Sequence, residues 1–83
     1  MEEEILELVG EVLQLGDRLR HMTPETPLLG GLPEMDSLAV VNIVTALEER
    51  YDLILDEDEL SAQTFETVAS LSAFVEQQLK REA

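Results

Sequence analysis

Residues 3–15 read EEILELVGEVLQL, with Ile5, Leu6, Val9, Val12 and Leu13 at i, i+1, i+4, i+7 and i+8. That spacing puts them on one stripe of an amphipathic helix. Glu2, Glu3 and Glu4 fall in its first turn, where the helix dipole favours negative charge, and Gly16 stands where a left-handed residue would end it. Gly10, inside the pattern, either weakens the helix by roughly 1 kcal/mol relative to alanine or admits a close neighbour. From Gly16 to Asp36 the periodicity lapses, and Pro24, Pro27, Pro33 and Gly30-Gly31 break any long helix. An unstructured connection of about 20 residues is unusual in a compact domain, and such loops are often functional or internally packed. Leu28, Leu29 and Leu32 are the expected anchors of this one.

A second helix opens at Ser37 with SLAVVNIVTALEERY, and Asp36 stands at its N-cap, where a carboxylate accepts the first free amides. Val40, Val44, Leu47 and Tyr51 form the expected core stripe, with Ile43 beside it. Leu38 and Val41 lie off that stripe, so the apolar arc is wider than one core face needs. The N-terminal flank is therefore read as an exposed contact surface. Leu53-Ile54-Leu55 precedes the acidic run Asp56–Glu59, where Asp56 and Glu59 match a capping pattern for a short helix over Glu57–Ala62. The run lacks the alternate oxygen ligands, central glycine and distal glutamate of a calcium loop, so it reads as a solvated helix start. Thr64 is placed to cap the last helix, TFETVASLSAFVEQQLK, in which Val68, Leu71, Ser72, Val75 and Leu79 share a face. Phe65 and Phe74 add bulk to it, and Lys80 and Arg81 complement its C-terminal dipole. The prediction is an all-α fold: a small four-helix bundle of three main helices and one short helix, with a long loop between helices 1 and 2.

Composition narrows the function. The 83 residues fit one domain, 1–83, and carry 5 basic against 19 acidic side chains, a net charge of −14. That charge argues against nucleic acid or an anionic membrane as partner and favours a basic protein surface. The acidic start is the opposite of a secretion signal, and no apolar run approaches the ~20 residues of a membrane span. A cytoplasmic domain without membrane insertion is expected. With no cysteine there is no disulfide, thiolate metal site or cysteine nucleophile. The one histidine, His21, falls in the long loop, and no serine sits in a G-x-S-x-G elbow. No catalytic and no metal-binding residue is expected, and the protein is read as a non-enzyme.

One place remains informative, Met35-Asp36-Ser37-Leu38. A serine at the mouth of a long loop and the start of a helix has an exposed hydroxyl, and the neighbouring free amides suit an anion. On these residues alone Ser37 is either the bearer of such a group or part of a helix cap.

The longer segment GGLPEMDSLAVVNIVTALEERYD resembles the attachment region of acyl carrier proteins, the small acidic four-helix proteins of fatty-acid and polyketide synthesis. The matching pieces are Asp36-Ser37-Leu38, the apolar Val41, Val44 and Leu47, Glu48-Glu49 and an aromatic at Tyr51, and the order of helices agrees over nearly the whole chain. The resemblance implies a freestanding, monomeric carrier whose Ser37 bears 4′-phosphopantetheine, placed there from coenzyme A by a separate phosphopantetheinyl transferase. The thiol of that group would hold acyl chains as thioesters for acyl-activating or acyl-transferring enzymes with basic and apolar docking patches. Carried over by position, Asp36, Leu38, Val41, Glu48 and Glu49 would form the recognition surface. Ala39 and Asn42 stand where carriers of fatty-acid synthesis are often acidic. That departure points to a dedicated pathway: polyketide-like, lipid-modifying or exopolysaccharide-associated. Val44, Leu47, Phe65, Leu71 and Val75 would line any space for an acyl chain inside the bundle, but are expected to be core. Two alternatives stay open: an aminoacyl or peptidyl carrier, and an unmodified acidic module that docks helices on the face from Leu38 to Val44.

Overall fold

The computed structural model describes residues 1–82; Ala83, the end of the expected domain, lies outside them. Three α-helices form, α1 (Glu2–Val12), α2 (Ser37–Tyr51) and α3 (Val68–Glu82), with 3-10 helices at Gly16–His21 and Glu57–Glu59. α1 packs against both α2 and α3. The all-α bundle is the one expected, although its short fourth helix is a single 3-10 turn and the long loop carries helical structure of its own.

α1 buries Ile5, Leu8 and Val9, with Leu6, Val12 and Leu13 packed at the edge of the same core. It ends short of Leu15, the expected last residue, because Gln14 turns left-handed (φ 56°) while the Leu15 amide donates back to the Gly10 carbonyl at 2.9 Å. Gly10 serves close approach: a Cβ there would stand 2.8 Å from a methyl of Leu19, which the 3-10 helix lays across α1.

α2 begins where Asp36 caps it, its Oδ1 accepting the Ala39 amide at 2.8 Å. The buried face is Ala39, Ile43 and Leu47: Leu47 of the expected stripe and Ile43 beside it are buried, and Ala39 takes the place expected of Val40 and Val44. Val40 and Val44 are half-buried and form the wall of a groove instead. Tyr51 is also half-buried, and its hydroxyl donates to Glu4 of α1 at 2.9 Å. Burial first, and that carboxylate second, push its pKa above the usual phenol value.

The loop before α2 is tied down mainly by its backbone. The amides of Leu28 and Leu29 donate to the carbonyls of Glu66 and Phe65 at 2.8 and 3.0 Å, and Pro24 accepts the Ala69 amide at 2.8 Å. Of the three expected anchors, Leu28 is fully buried and Leu32 half-buried, but Leu29 is 39% exposed. Pairing of its backbone with Phe65 fixes Leu29 without burying the side chain. Met35, unassigned from sequence, joins the core. Arg18 grips Glu34 with both guanidinium nitrogens and holds that carboxyl below its ordinary pKa.

The end of the short helix and the start of α3 both differ from expectation around Thr64. Thr64 accepts the Ser61 amide in a turn, so the short helix stops at Glu59 rather than Ala62. The cap of α3 falls to Thr67, whose hydroxyl accepts the Ser70 amide at 3.0 Å while the Ser70 hydroxyl accepts the Thr67 amide at 3.0 Å. On the inner face of α3, Val68, Leu71 and Val75 are fully buried and the buried Ser72 hydroxyl has no partner among the described residues.

Candidate functional site

Ser37 is the first residue of α2 and is exposed. Asp36 directs its carboxylate to the Ala39 amide, so it leaves the serine hydroxyl untouched. The amides of Ser37 and Leu38 belong to the first turn, where no intrahelical acceptor exists and the dipole is positive. An exposed hydroxyl beside two outward amides fits a serine phosphodiester, whose charge those amides would meet. His21 is an exposed residue of the 3-10 helix.

Helical geometry links Ser37 to what lies below it. Val40, Val41, Val44, Thr45 and Glu48 follow at i+3, i+4, i+7, i+8 and i+11 and so share its side of α2 over about 16 Å. These five, with Leu55 and Leu60 opposite, line a groove of about 490 Å³. A neighbouring hollow of about 350 Å³ shares Val40 and Leu60 and continues to Leu29, Ala62 and Phe65. The two polar groups on the groove wall are engaged within the protein. Thr45 donates to the Val41 carbonyl at 2.9 Å, and Glu48 accepts the Leu55 amide at 2.9 Å. The rest of the lining is the aliphatic side chains of Val40, Val41, Val44, Leu55 and Leu60.

The expected recognition residues occupy the outward arc of α2 unequally. Leu38 and Val41 are 67% and 57% exposed, the exposure anticipated from the wide apolar arc. Glu49 is exposed, Asp36 is exposed and caps the helix, and Glu48 is half-buried with its carboxylate bonded to backbone. Ala39 is a core residue, so its apolar character reflects packing, and the outward departure from an acidic surface is Asn42 alone. Leu47, Phe65, Leu71 and Val75 are core, whereas Val44 lines the groove. Reading offsets from Ser37 would have found Val40 and Thr45; Leu55 and Leu60 arrive only through the tertiary fold. Among the described residues no group of His, Cys, Asp or Glu is placed to hold a metal ion, and no helix is long and apolar enough to cross a membrane.

Known proteins agree with this geometry. Residues 3–75 match the family described as a phosphopantetheine attachment site. The fold is similar to that of a holo acyl carrier protein from Nitrosomonas europaea, solved by solution NMR. That protein is 52% identical in sequence, with a TM-score of 0.87 over 95% of each chain. No curated protein sequence matches the chain.

Proposed function

The chain belongs to the family of phosphopantetheine-bearing carrier proteins, which are carriers and not enzymes, and on that footing we propose that Ser37 is the residue that bears the 4′-phosphopantetheine and that the groove below it receives an acyl cargo. The observation that carries the reading is the alignment of an exposed serine, at the free amides of a helix N-terminus, with a groove of mainly aliphatic side chains running down the same side of α2. Bound at Ser37, the group supplies a thiol that holds an acyl chain as a thioester. Ser37 would contribute the hydroxyl oxygen of the phosphodiester, its proton passing to a base on the transferase as the pyrophosphate bond of coenzyme A breaks and adenosine 3′,5′-bisphosphate leaves. The amides of Ser37 and Leu38 steady the phosphodiester charge. Val40, Val44, Leu55 and Leu60 shield apolar cargo from water, which favours an acyl over an aminoacyl passenger.

Leu38 and Val41 suit an apolar patch on phosphopantetheinyl transferases and acyl-handling enzymes, while Asp36, Glu49 and the net charge of −14 raise the encounter rate with basic surfaces. Asn42 on that arc supports service in a dedicated pathway rather than in primary fatty-acid elongation. We read the chain as a single-domain, monomeric, cytoplasmic carrier.

The test is intact mass after incubation with coenzyme A and a broad-specificity phosphopantetheinyl transferase. Wild type gains one phosphopantetheine and Ser37→Ala gains none, while both keep the same helical spectrum. A gain on Ser37→Ala, or none on wild type while a control carrier is modified, overturns the assignment. Loading with acyl against aminoacyl adenylating enzymes then settles the cargo class.

A further inference from the structure

Two neighbouring glutamates close the outward arc of α2, and the fold uses them differently. Glu49 is exposed. Glu48 receives the chain as it leaves the helix: its backbone carbonyl accepts the amides of Asp52 and, at 3.1 Å, Leu53, and its Oε2 accepts the amide of Leu55 at 2.9 Å. Asp52 is left-handed, and beyond it side chains alternate, with Leu53 and Leu55 buried and Ile54 84% exposed. Farther along, Glu59 is held to α3 by Gln78 at 2.9 Å and Arg81 at 2.8 Å. Between the helix end and that anchor, the Leu55 side chain packs into the core and the Glu48 carboxylate holds its backbone amide, and Leu55 with Leu60 is the wall of the groove opposite Val40 and Val44.

We infer that Glu48 is a positioning residue of the groove: by accepting the Leu55 amide its carboxylate fixes the far wall and so governs how completely an acyl cargo is covered, leaving the meeting of partners to Asp36, Leu38, Val41 and Glu49. The cargo half of this inference rests on the carrier reading; the wall half does not.

Charge and hydrogen-bond acceptance separate cleanly at this position. Glu48→Gln keeps a side-chain oxygen that accepts the Leu55 amide but removes the charge, and Glu48→Ala removes both. A residue that meets basic partners loses its role in both variants; a residue that holds a wall loses it in Glu48→Ala alone. The first readout is amide hydrogen exchange on the unloaded protein. Leu55 exchange rises about tenfold in Glu48→Ala, the scale of one part-buried hydrogen bond, and stays near wild type in Glu48→Gln. The Ile5 and Val75 amides serve as the internal check that the core is intact. The second readout is the emission of a polarity-sensitive fluorophore at the end of an octanoyl thioester on the loaded carrier. Emission shifts towards its aqueous value in Glu48→Ala and not in Glu48→Gln. Equal Leu55 exchange in the two variants, whether both rise or neither does, overturns the wall. A split in exchange without a split in emission overturns the control of cargo. Wild type that takes up no phosphopantetheine is a failure of the carrier reading, and the exchange experiment is unaffected by it.

Discussion

The two sides of α2 are built from the same class of residue and treated in opposite ways. Ala39, Ile43 and Leu47 are buried, while Leu38 and Val41, equally aliphatic, face outward. Burial of the first set contributes stability in proportion to the apolar area removed from water. The second set forgoes that contribution, and on the proposed reading it is the face that meets partners beside Ser37. One helix thus separates what holds the fold from what the fold presents.

The contrast is most open to attack through stability. Ile43→Ala removes a fully buried side chain and is expected to cost about 3 kcal/mol, within the 2–5 typical of such truncations. Val41→Ala, more than half exposed, is expected to stay within about 0.5 kcal/mol of wild type. Denaturant unfolding of the two side by side decides it. Equal losses would mean that Val41 is a packing residue after all and that the docking face is narrower than drawn here.

The loop that delivers Ser37 belongs on the stable side of the comparison, despite reading as a connection. A Cβ on Gly31 would lie 2.5 Å from the Pro27 carbonyl oxygen, which is backbone and has no rotamer to yield. Gly31→Ala is therefore expected to cost about 2 kcal/mol, the range of overpacked sites. A neutral Gly31→Ala in the same unfolding measurement would show that the loop moves freely and that only α2 itself is divided.

The sequence carried the type of every long helix and the placing of Asp36 and Ser37, because strong periodicity and a capping residue are local signals. It carried the phase of α2 poorly. Apolar residues occupy 38–41, 43, 44, 46 and 47, so several stripes fit the pattern equally, and the small Ala39 hides the one that is buried. The choice among them is made by neighbours that periodicity does not register. The same holds for the start of α3, where Thr64 reads as the cap but Thr67 fills that place, beside the backbone bonds from Leu28 and Leu29 to Glu66 and Phe65. The groove suffered most, since Leu55 and Leu60 reach it only because the chain reverses at Asp52. Its α2 half was readable from Ser37 by counting turns.

The finest division between the two sides falls on a single residue. Asp36 caps α2 through Oδ1 on the amide of Ala39, a member of the buried face, and directly precedes Ser37, the head of the open one. Asparagine caps as well as aspartate, so Asp36→Asn is expected to leave stability within a few tenths of a kcal/mol, while Asp36→Ala costs about 1 kcal/mol. Transfer of phosphopantetheine to Ser37 should divide the variants differently. If the carboxylate also meets a basic transferase, both variants lose its charge, and both load more slowly at low salt. The deficit then narrows as ionic strength shortens the Debye length towards about 8 Å at 0.15 M. Thermal melts and mass-resolved loading rates at two salt concentrations separate the two roles. Melts that separate Ala from Asn, together with loading rates that group them against wild type, place both functions on one carboxylate. An Asn variant that loads as fast as wild type at low salt would confine Asp36 to the cap, and the recognition of Ser37 would then begin at Leu38.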